Sequence, residues 1–489
     1  MTSLFSQAID DVLSGARAFL EFGNNLVNPT VRLGVTGMSG AGKTVFITAL
    51  VHGLVRGGRF PVFEALAGGR IAEARLAPQP DDAVPRFDYE SHLRTLVEKR
   101  RWPESTRRVS ELRVIIEYQT RRGAMRTLTL DIVDYPGEWL LDLPLLNKTY
   151  EQWSAESIAL SWDGPRKELA EKWHGYLKTL TPQEPENEQA ALTAAALFTD
   201  YLKSCRDLRF AMSVLPPGRF LMPGDLEGSP ALTFAPLDVP SDGEAPKGSL
   251  WAMMRRRYEA YKTVVVKPFF QEHFARLDRQ IVLVDVLSAL NAGPEALQDL
   301  ERALASILTC FRPGRRSLLT TLFSPRIDRI LFAATKADHL HRSSHDALEA
   351  ILRQLAASAA ETAEFAGADV DVIALAAVRA TREATIKQGH QNLPAILGVP
   401  APGEIVGTKV FDGKTEAAMF PGDLPDSPGE FFAKANAFRG LSSVSAKEAD
   451  FRFPRLLPPK LQTDSSGVPA LPQIRLDRAL QFLIGDRLQ

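Results

Sequence analysis

One run of residues limits what this chain can fold into more than any other: Gly37-Met38-Ser39-Gly40-Ala41-Gly42-Lys43-Thr44. It fits G-x-x-x-x-G-K-[ST] at every fixed position. Val31 to Thr36 ahead of it reads as a short apolar strand, and Val45 to Val55 behind it carries apolar residues at helical spacing. Strand, glycine loop and helix in that order make a cradle for phosphate. Gly37, Gly40 and Gly42 let the backbone wrap closely, so that N–H groups from Gly37 through Ser39, Ala41 and Val45 can face phosphate oxygens. The helix start adds its dipole. Lys43 would reach the β- and γ-phosphates, and the Thr44 hydroxyl would ligate Mg²⁺.

Strands and helices alternate along much of the rest. Apolar strand candidates lie at Leu112–Tyr118, Leu128–Val133, Ile281–Val286, Ile330–Ala334 and Val370–Leu375, and the first two form a hairpin around Arg121-Arg122-Gly123. This pattern predicts an α/β fold of the P-loop class, a mostly parallel sheet with helices on both faces. Residues 57–110 are polar, with Pro78, Pro80 and Pro85 breaking any long element, and no strand is read there. Residues 146–277 carry helical patterns around a Pro/Gly-rich loop and read as a mainly helical insertion. The expected organisation is an N-terminal helix over 1–27, a core built from 28–145 and 278–380, the insertion, and a C-terminal extension over 381–489 that closes with a helix.

Two further motifs sit at strand ends. Asp134 follows Leu130-Asp131-Ile132-Val133 and precedes Tyr135-Pro136-Gly137-Glu138. There it would hold Mg²⁺ across from Thr44, with the Gly137 N–H available to the γ-phosphate. The Asp-x-x-Gly spacing resembles switch II of translation-factor and Ras-like GTPases. Thr335-Lys336-Ala337-Asp338 also follows an apolar strand and resembles the [NT]-K-x-D guanine reader, whose aspartate accepts from N1–H and the exocyclic amine. Adenine lacks that donor pair. The competing reading makes Asp338 a cap on the following segment. Ala377 and Val378 match the backbone element that supports the base, although its serine is missing.

Glu138 stands where Ras-like enzymes carry a water-positioning glutamine, which predicts slow turnover. The candidate for switch I is Thr106, in Lys99-Arg100-Arg101-Trp102-Pro103-Glu104-Ser105-Thr106-Arg107-Arg108. Arg101 or Arg107 would supply an arginine in cis, against the plainer reading of a solvated charge run. The chain from Lys43 to Asp134, and still more from Gly137 to Thr335, is much longer than a bare GTPase core needs. Both connections therefore carry insertions, where partners commonly bind.

Composition removes several alternatives. With formal net charge −1 and pI near 6.7, there is no basic surface for general nucleic-acid binding. Cys205 and Cys310 lie far apart, so neither a disulfide framework nor a zinc knuckle is expected. No stretch approaches the ~20 apolar residues of a membrane span. Phe5, Ile9, Val12, Leu13, Ala16, Phe19 and Leu20 form a helical stripe, but Asp10 and Asp11 lie on the same segment. Packing on a neighbouring domain is the plainer reading, with peripheral membrane contact left open. The expected location is the cytoplasm. Histidines at metal-ligand spacing and a G-x-S-x-G elbow are both missing from the sequence.

GMSGAGKT, DYPGEW, LVDVLSALN and TKAD in this order, with WPEST and MPGDLEGSP, resemble the YcjX-like family of bacterial P-loop proteins over most of the chain. The resemblance implies a stress-associated cytoplasmic GTPase-like protein, sometimes labelled an ATPase, with a helical insertion. The leading expectation is a Mg²⁺-dependent protein that binds GTP and GDP, hydrolyses GTP slowly and acts as a switch. Its protein partner is unknown and would meet the insertion or the C-terminal extension. An ATPase sharing Lys43, Thr44 and Asp134, and a nucleotide-bound scaffold that barely hydrolyses, are the alternatives.

Overall fold

Val31, Leu33 and Val35 alternate with Gly34 and Thr36 in a stretch buried on both faces, the pattern of a central parallel strand. In the computed structural model this stretch is β1, Thr30–Gly37. The structure describes residues 29–308, 327–424 and 453–489, except 39, 107, 208, 366, 389–390, 407–408, 423 and 462–467. The N-terminal helix expected over 1–27, Ser39, Arg107 and Cys310 lie outside the described residues.

Helix Lys43–Arg56 follows β1 directly. Next come β2 (Ile71–Ala77), β3 (Ser110–Gln119) and β4 (Met125–Asp134), then β5 (Arg279–Val284), β6 (Arg329–Ala334) and β7 (Asp369–Ala374). They form one sheet in the order β2-β3-β4-β1-β5-β6-β7. β1 runs parallel to β4 and β5, and β5, β6 and β7 continue parallel. β2 and β3 are antiparallel additions, with Gln119 opposite Met125 across the expected hairpin. The mostly parallel α/β fold read from the sequence is therefore present.

The segment 57–110 is more ordered than its composition suggests. β2 lies at the sheet edge, where Ala72, Glu73 and Arg75 are exposed and only Ala74 is buried, so no alternating stripe marks it. Its ladder with β3 holds it in place instead. Helix Tyr89–Val97 follows, capped by the Asp88 carboxylate accepting from the Ser91 N–H.

Two layers cover the sheet. On one face, helix Lys43–Arg56 shares a core with the C-terminal helix Leu476–Ile484, whose Leu476, Ala479, Leu480, Leu483 and Ile484 are buried. The buried Arg279 guanidinium donates to Leu483 O at 3.1 Å and to Asp486 Oδ2 at 2.8 Å, tying that helix to β5. The other face belongs to a larger core that runs from the sheet into helices Tyr150–Leu160, Glu188–Arg206 and Leu250–Tyr261. Trp153, Trp173, Phe198, Phe234 and Tyr258 fill it. Beyond β7, β8 (Arg382–Gln388), β9 (Gln391–Gly398) and a hairpin of β10 (Ile405–Val406) and β11 (Lys409–Val410) precede β12 (Ala417–Met419). β12, β9 and β8 form a small antiparallel sheet absent from the expectation for this tail. Among the described residues no helix is long and apolar enough to cross a membrane.

Candidate nucleotide-binding site

β1, β4, β5, β6 and β7 all run in one direction, so their C-terminal ends open on one edge, with β1 at the point where strand order reverses. Ligands of open α/β sheets bind at such a switch point. The glycine loop, Asp134 and Thr335–Asp338 all land there, because each leaves the end of a buried strand.

The glycine loop leaves β1 with Gly42 at φ 85°, a left-handed conformation that starts helix Lys43–Arg56 without a Cβ penalty. Lys43 is the first helical residue and is buried; its Nζ donates to Gly37 O at 2.6 Å. Gly137 presses on this loop from the end of β4. A Cβ at Gly137 would come within 2.3 Å of Gly37 O, so only glycine allows the approach.

Three oxygens gather beside Lys43. Thr106 Oγ1 donates to Asp134 Oδ2 at 2.6 Å and lies 3.5 Å from Thr44 Oγ1, which itself donates to Glu104 O at 3.1 Å. Asp134 is buried, and burial pushes its carboxyl up to about 6, against the pull of the Lys43 charge and the Thr106 hydroxyl. Among the described residues its Oδ1 has no hydrogen-bond partner. An orphaned buried carboxylate oxygen beside two hydroxyls is a hard-oxygen donor set. Mg²⁺ is commonly held by one or two carboxylates plus substrate phosphates, so the set fits it.

The base-reading candidates leave β6. Lys336 adopts φ 59°, and its Nζ donates to Asp285 Oδ2. Thr335 N–H donates to Val284 O at 2.9 Å, and Ala337 N–H to Leu375 O at 3.1 Å. Asp338 is buried and does not cap the helix that follows. Its Oδ2 accepts from the Ala380 N–H at 2.8 Å, and Thr381 Oγ1 donates to its main-chain carbonyl at 2.6 Å. Asp285 caps helix Val286–Ala292 through the Ser288 N–H. Burial raises its carboxyl, but Lys336 and Ser288 outweigh that and hold it below the usual range. It belongs to this framework.

A cavity of about 290 Å³ joins the two ends. Gly40, Ala41, Gly42, Lys43, Thr44 and Val45 line it at one end, Thr335, Lys336, Asp338, Ala377 and Val378 at the other, with Thr106 between. Asp134 lines a wider neighbouring hollow of about 1260 Å³ together with Thr44 and Thr106. The wider hollow is open ground between the sheet edge and the helical layer. The narrower one holds the motifs, and its shape matters more for a nucleotide.

Glu138 does not come to this cavity. It is 4% exposed and lines a separate small hollow with Arg206, Asp285 and Ser288. Arg206 Nη1 lies 3.9 Å from its Oε1, which has no hydrogen-bond partner among the described residues. Arg101 is exposed and does not line the cavity either. Sequence reasoning missed His339, Arg455 and Leu456, all of which do. His339 sat beside a motif, but nothing local marks Arg455 or Leu456.

The sequence matches the YcjX-like family over residues 31–488. The chain belongs to the YcjX-like family. It is 39% identical over 483 residues to a protein of Escherichia coli (strain K12) named Ras-like GTPase YcjX, covering 95% of this chain and 97% of that one. A Ras-like GTPase YcjX of Shewanella oneidensis is 34% identical over 489 residues, covering 94% of this chain and 95% of its own length. For a YcjX-like chain, the motif-bearing strand ends thus stand in the fold that the sequence led one to expect.

Proposed function

We propose that this protein binds GTP and GDP with Mg²⁺ and hydrolyses GTP slowly, as a conformational switch. One observation carries the reading: a single cavity brings Lys43 and Thr44 together with Thr106, Lys336 and Asp338. The names of the two relatives, both Ras-like GTPases, support it. Asp338 favours guanine over adenine, because a carboxylate can accept from the N1–H and exocyclic amine of guanine and adenine lacks that pair; the Ala380 N–H, bonded to Oδ2, holds the carboxylate in place.

In this reading Thr44, Thr106 and Asp134 would hold Mg²⁺, which would supply positive charge to offset that of the phosphates. Lys43 exchanges Gly37 O for phosphate oxygens and stabilises charge on the transferring group. Thr106, bonded to Asp134, orders the 99–106 segment when the γ-phosphate is present. Residues 28–145 and 278–380 make up the GTPase-like core. The 146–277 insertion and the 381–489 extension meet an unidentified protein partner. Cytoplasmic location rests on the cysteine usage and sequence pattern together with the resemblance, and a link to stress rests on the resemblance.

A nucleotide-bound scaffold with little hydrolysis is the second reading, and Glu138 favours it. Its carboxylate faces Arg206 and would have to turn to position a water. Phosphate release from GTP, with and without Mg²⁺, against a Lys43→Ala control separates the two. Slow, Mg²⁺-dependent release above the control supports the GTPase. Binding with release equal to the control leaves the scaffold.

A further inference from the structure

One wall of the cavity comes from a part of the chain that carries no nucleotide motif. Arg455 and Leu456 line it beside Trp102. Their position follows from a chain of contacts that starts at the base-reading end. Thr381, which donates to the Asp338 carbonyl, leads straight into β8. Leu456 packs with Ile396 and Met419 of the small sheet and against Ala380, whose N–H binds Asp338. The 455–457 backbone is pinned to the chain leaving β9: Ala401 N–H donates to Arg455 O at 2.7 Å, and Leu457 N–H to Val399 O at 2.8 Å.

From there the contacts cross to the phosphate end. Trp102 Nε1–H donates to Leu456 O at 2.6 Å, and Arg100 donates to Pro458 O at 3.2 Å. Trp102 is four residues before Thr106, which binds Asp134. The strap at 455–458 and the 100–106 segment therefore close the gap between the base end and the metal end. In a nucleotide, that gap is where the sugar lies.

Arg455 is built to act there. Glu404 Oε1 accepts from its Nε at 2.6 Å, and Glu404 Oε2 from its main-chain N–H at 3.1 Å. The carboxylate fixes the direction of the guanidinium. Among the described residues its two terminal nitrogens have no hydrogen-bond partner; the side chain is largely exposed, and Arg455 is one of the residues lining the cavity. Lys336, also near the base end, is taken up by Asp285.

We propose that Arg455, Leu456 and Trp102 form the sugar-side wall of the nucleotide site, with the Arg455 guanidinium donating to the ribose hydroxyls. Nucleotide then leaves only when the Trp102–Leu456 bond opens. The C-terminal extension is thereby part of the site and senses its occupancy. The inference rests on nucleotide binding at this cavity but not on the choice of base.

Two variants test it, each on the full chain with the better-bound of GDP and ADP. Trp102→Phe keeps a ring and removes only the donor to Leu456; Arg455→Ala removes the ribose contact. Wild type is expected to bind the ribonucleotide about tenfold, or about 1.4 kcal/mol, more tightly than its 2′,3′-dideoxy form by calorimetry. Arg455→Ala should lose that preference. Trp102→Phe should release tritiated nucleotide about tenfold faster in a chase. A wild type indifferent to the sugar, an Arg455→Ala variant that keeps the preference, or unchanged release from Trp102→Phe overturns the proposal. A wild type that binds neither nucleotide overturns the functional reading and takes this inference with it.

Discussion

The two segments that flank the γ-phosphate end differ sharply in how they are held. Residues 101–106 are exposed or half-buried, and their links to the rest of the molecule include hydrogen bonds from Trp102 to Leu456 O and from Thr106 to Asp134. Residues Gly137–Leu145 are buried throughout and form part of the largest core. Trp139 stacks beneath the Arg219 guanidinium, 3.2 Å from its ring centroid, and donates to Met222 O at 3.0 Å. Asp142 accepts from Tyr261 OH at 2.6 Å and from the Gly218 N–H at 2.7 Å. The first segment can reorder at the cost of single contacts. The second can move only if the helices packed on it move as well. A nucleotide signal would thus reach the strap through 101–106 and the helical layer through 137–147.

The largest effect that can break this comparison is on stability. Trp139→Ala should cost about 3–5 kcal/mol, in line with emptying a packed aromatic site. Trp102→Ala should cost about 1 kcal/mol or less, since that ring is 36% exposed. Urea melts of the two variants decide it, and equal losses would erase the distinction.

Limited proteolysis sharpens the same contrast. Cleavage within 99–106 is expected to be at least tenfold faster than within 137–147, and to slow with a GTP analogue relative to GDP. Buried backbone is cut only after the surrounding helices open. Equal cutting in both segments would count against the picture.

A smaller effect concerns Asp142. Burial pushes its carboxyl up to about 6, against the donors from Tyr261 and Gly218. A carboxyl raised in the fold above its unfolded value favours the folded state in acid and loses that contribution as pH rises through about 6. Wild type should therefore gain about 1 kcal/mol relative to Asp142→Asn between pH 7 and pH 5. A difference in melting temperature that stays constant across that range would show that Asp142 does not titrate in this contact.

Much of this was legible before any coordinates. Lys43, Thr44, Asp134 and Asp338 each follow a short buried strand, and local pattern alone places them at one sheet edge. What escaped depends on distance along the chain. β2 is an edge strand whose exposed residues carry no stripe. The Asp338 carboxylate finds Ala380 rather than the helix after it, because the chain past β7 folds back over the base-reading loop. Trp102 meets Leu456 only through the small sheet, and nothing in either residue's neighbourhood announces the other. Glu138 had the right spacing, but a carboxylate at that point lies within reach of Arg206 from the helical layer.

The most direct test is competition binding with Mg²⁺, setting GTP and GDP against ATP and ADP on wild type and on Asp338→Asn. The account predicts a guanine preference of tenfold or more, about 1.4 kcal/mol, that collapses in the variant. Asparagine keeps an oxygen for the Ala380 N–H but turns a donor toward the base. Equal or adenine-favoured binding that survives Asp338→Asn would contradict it and make this an ATP-binding protein.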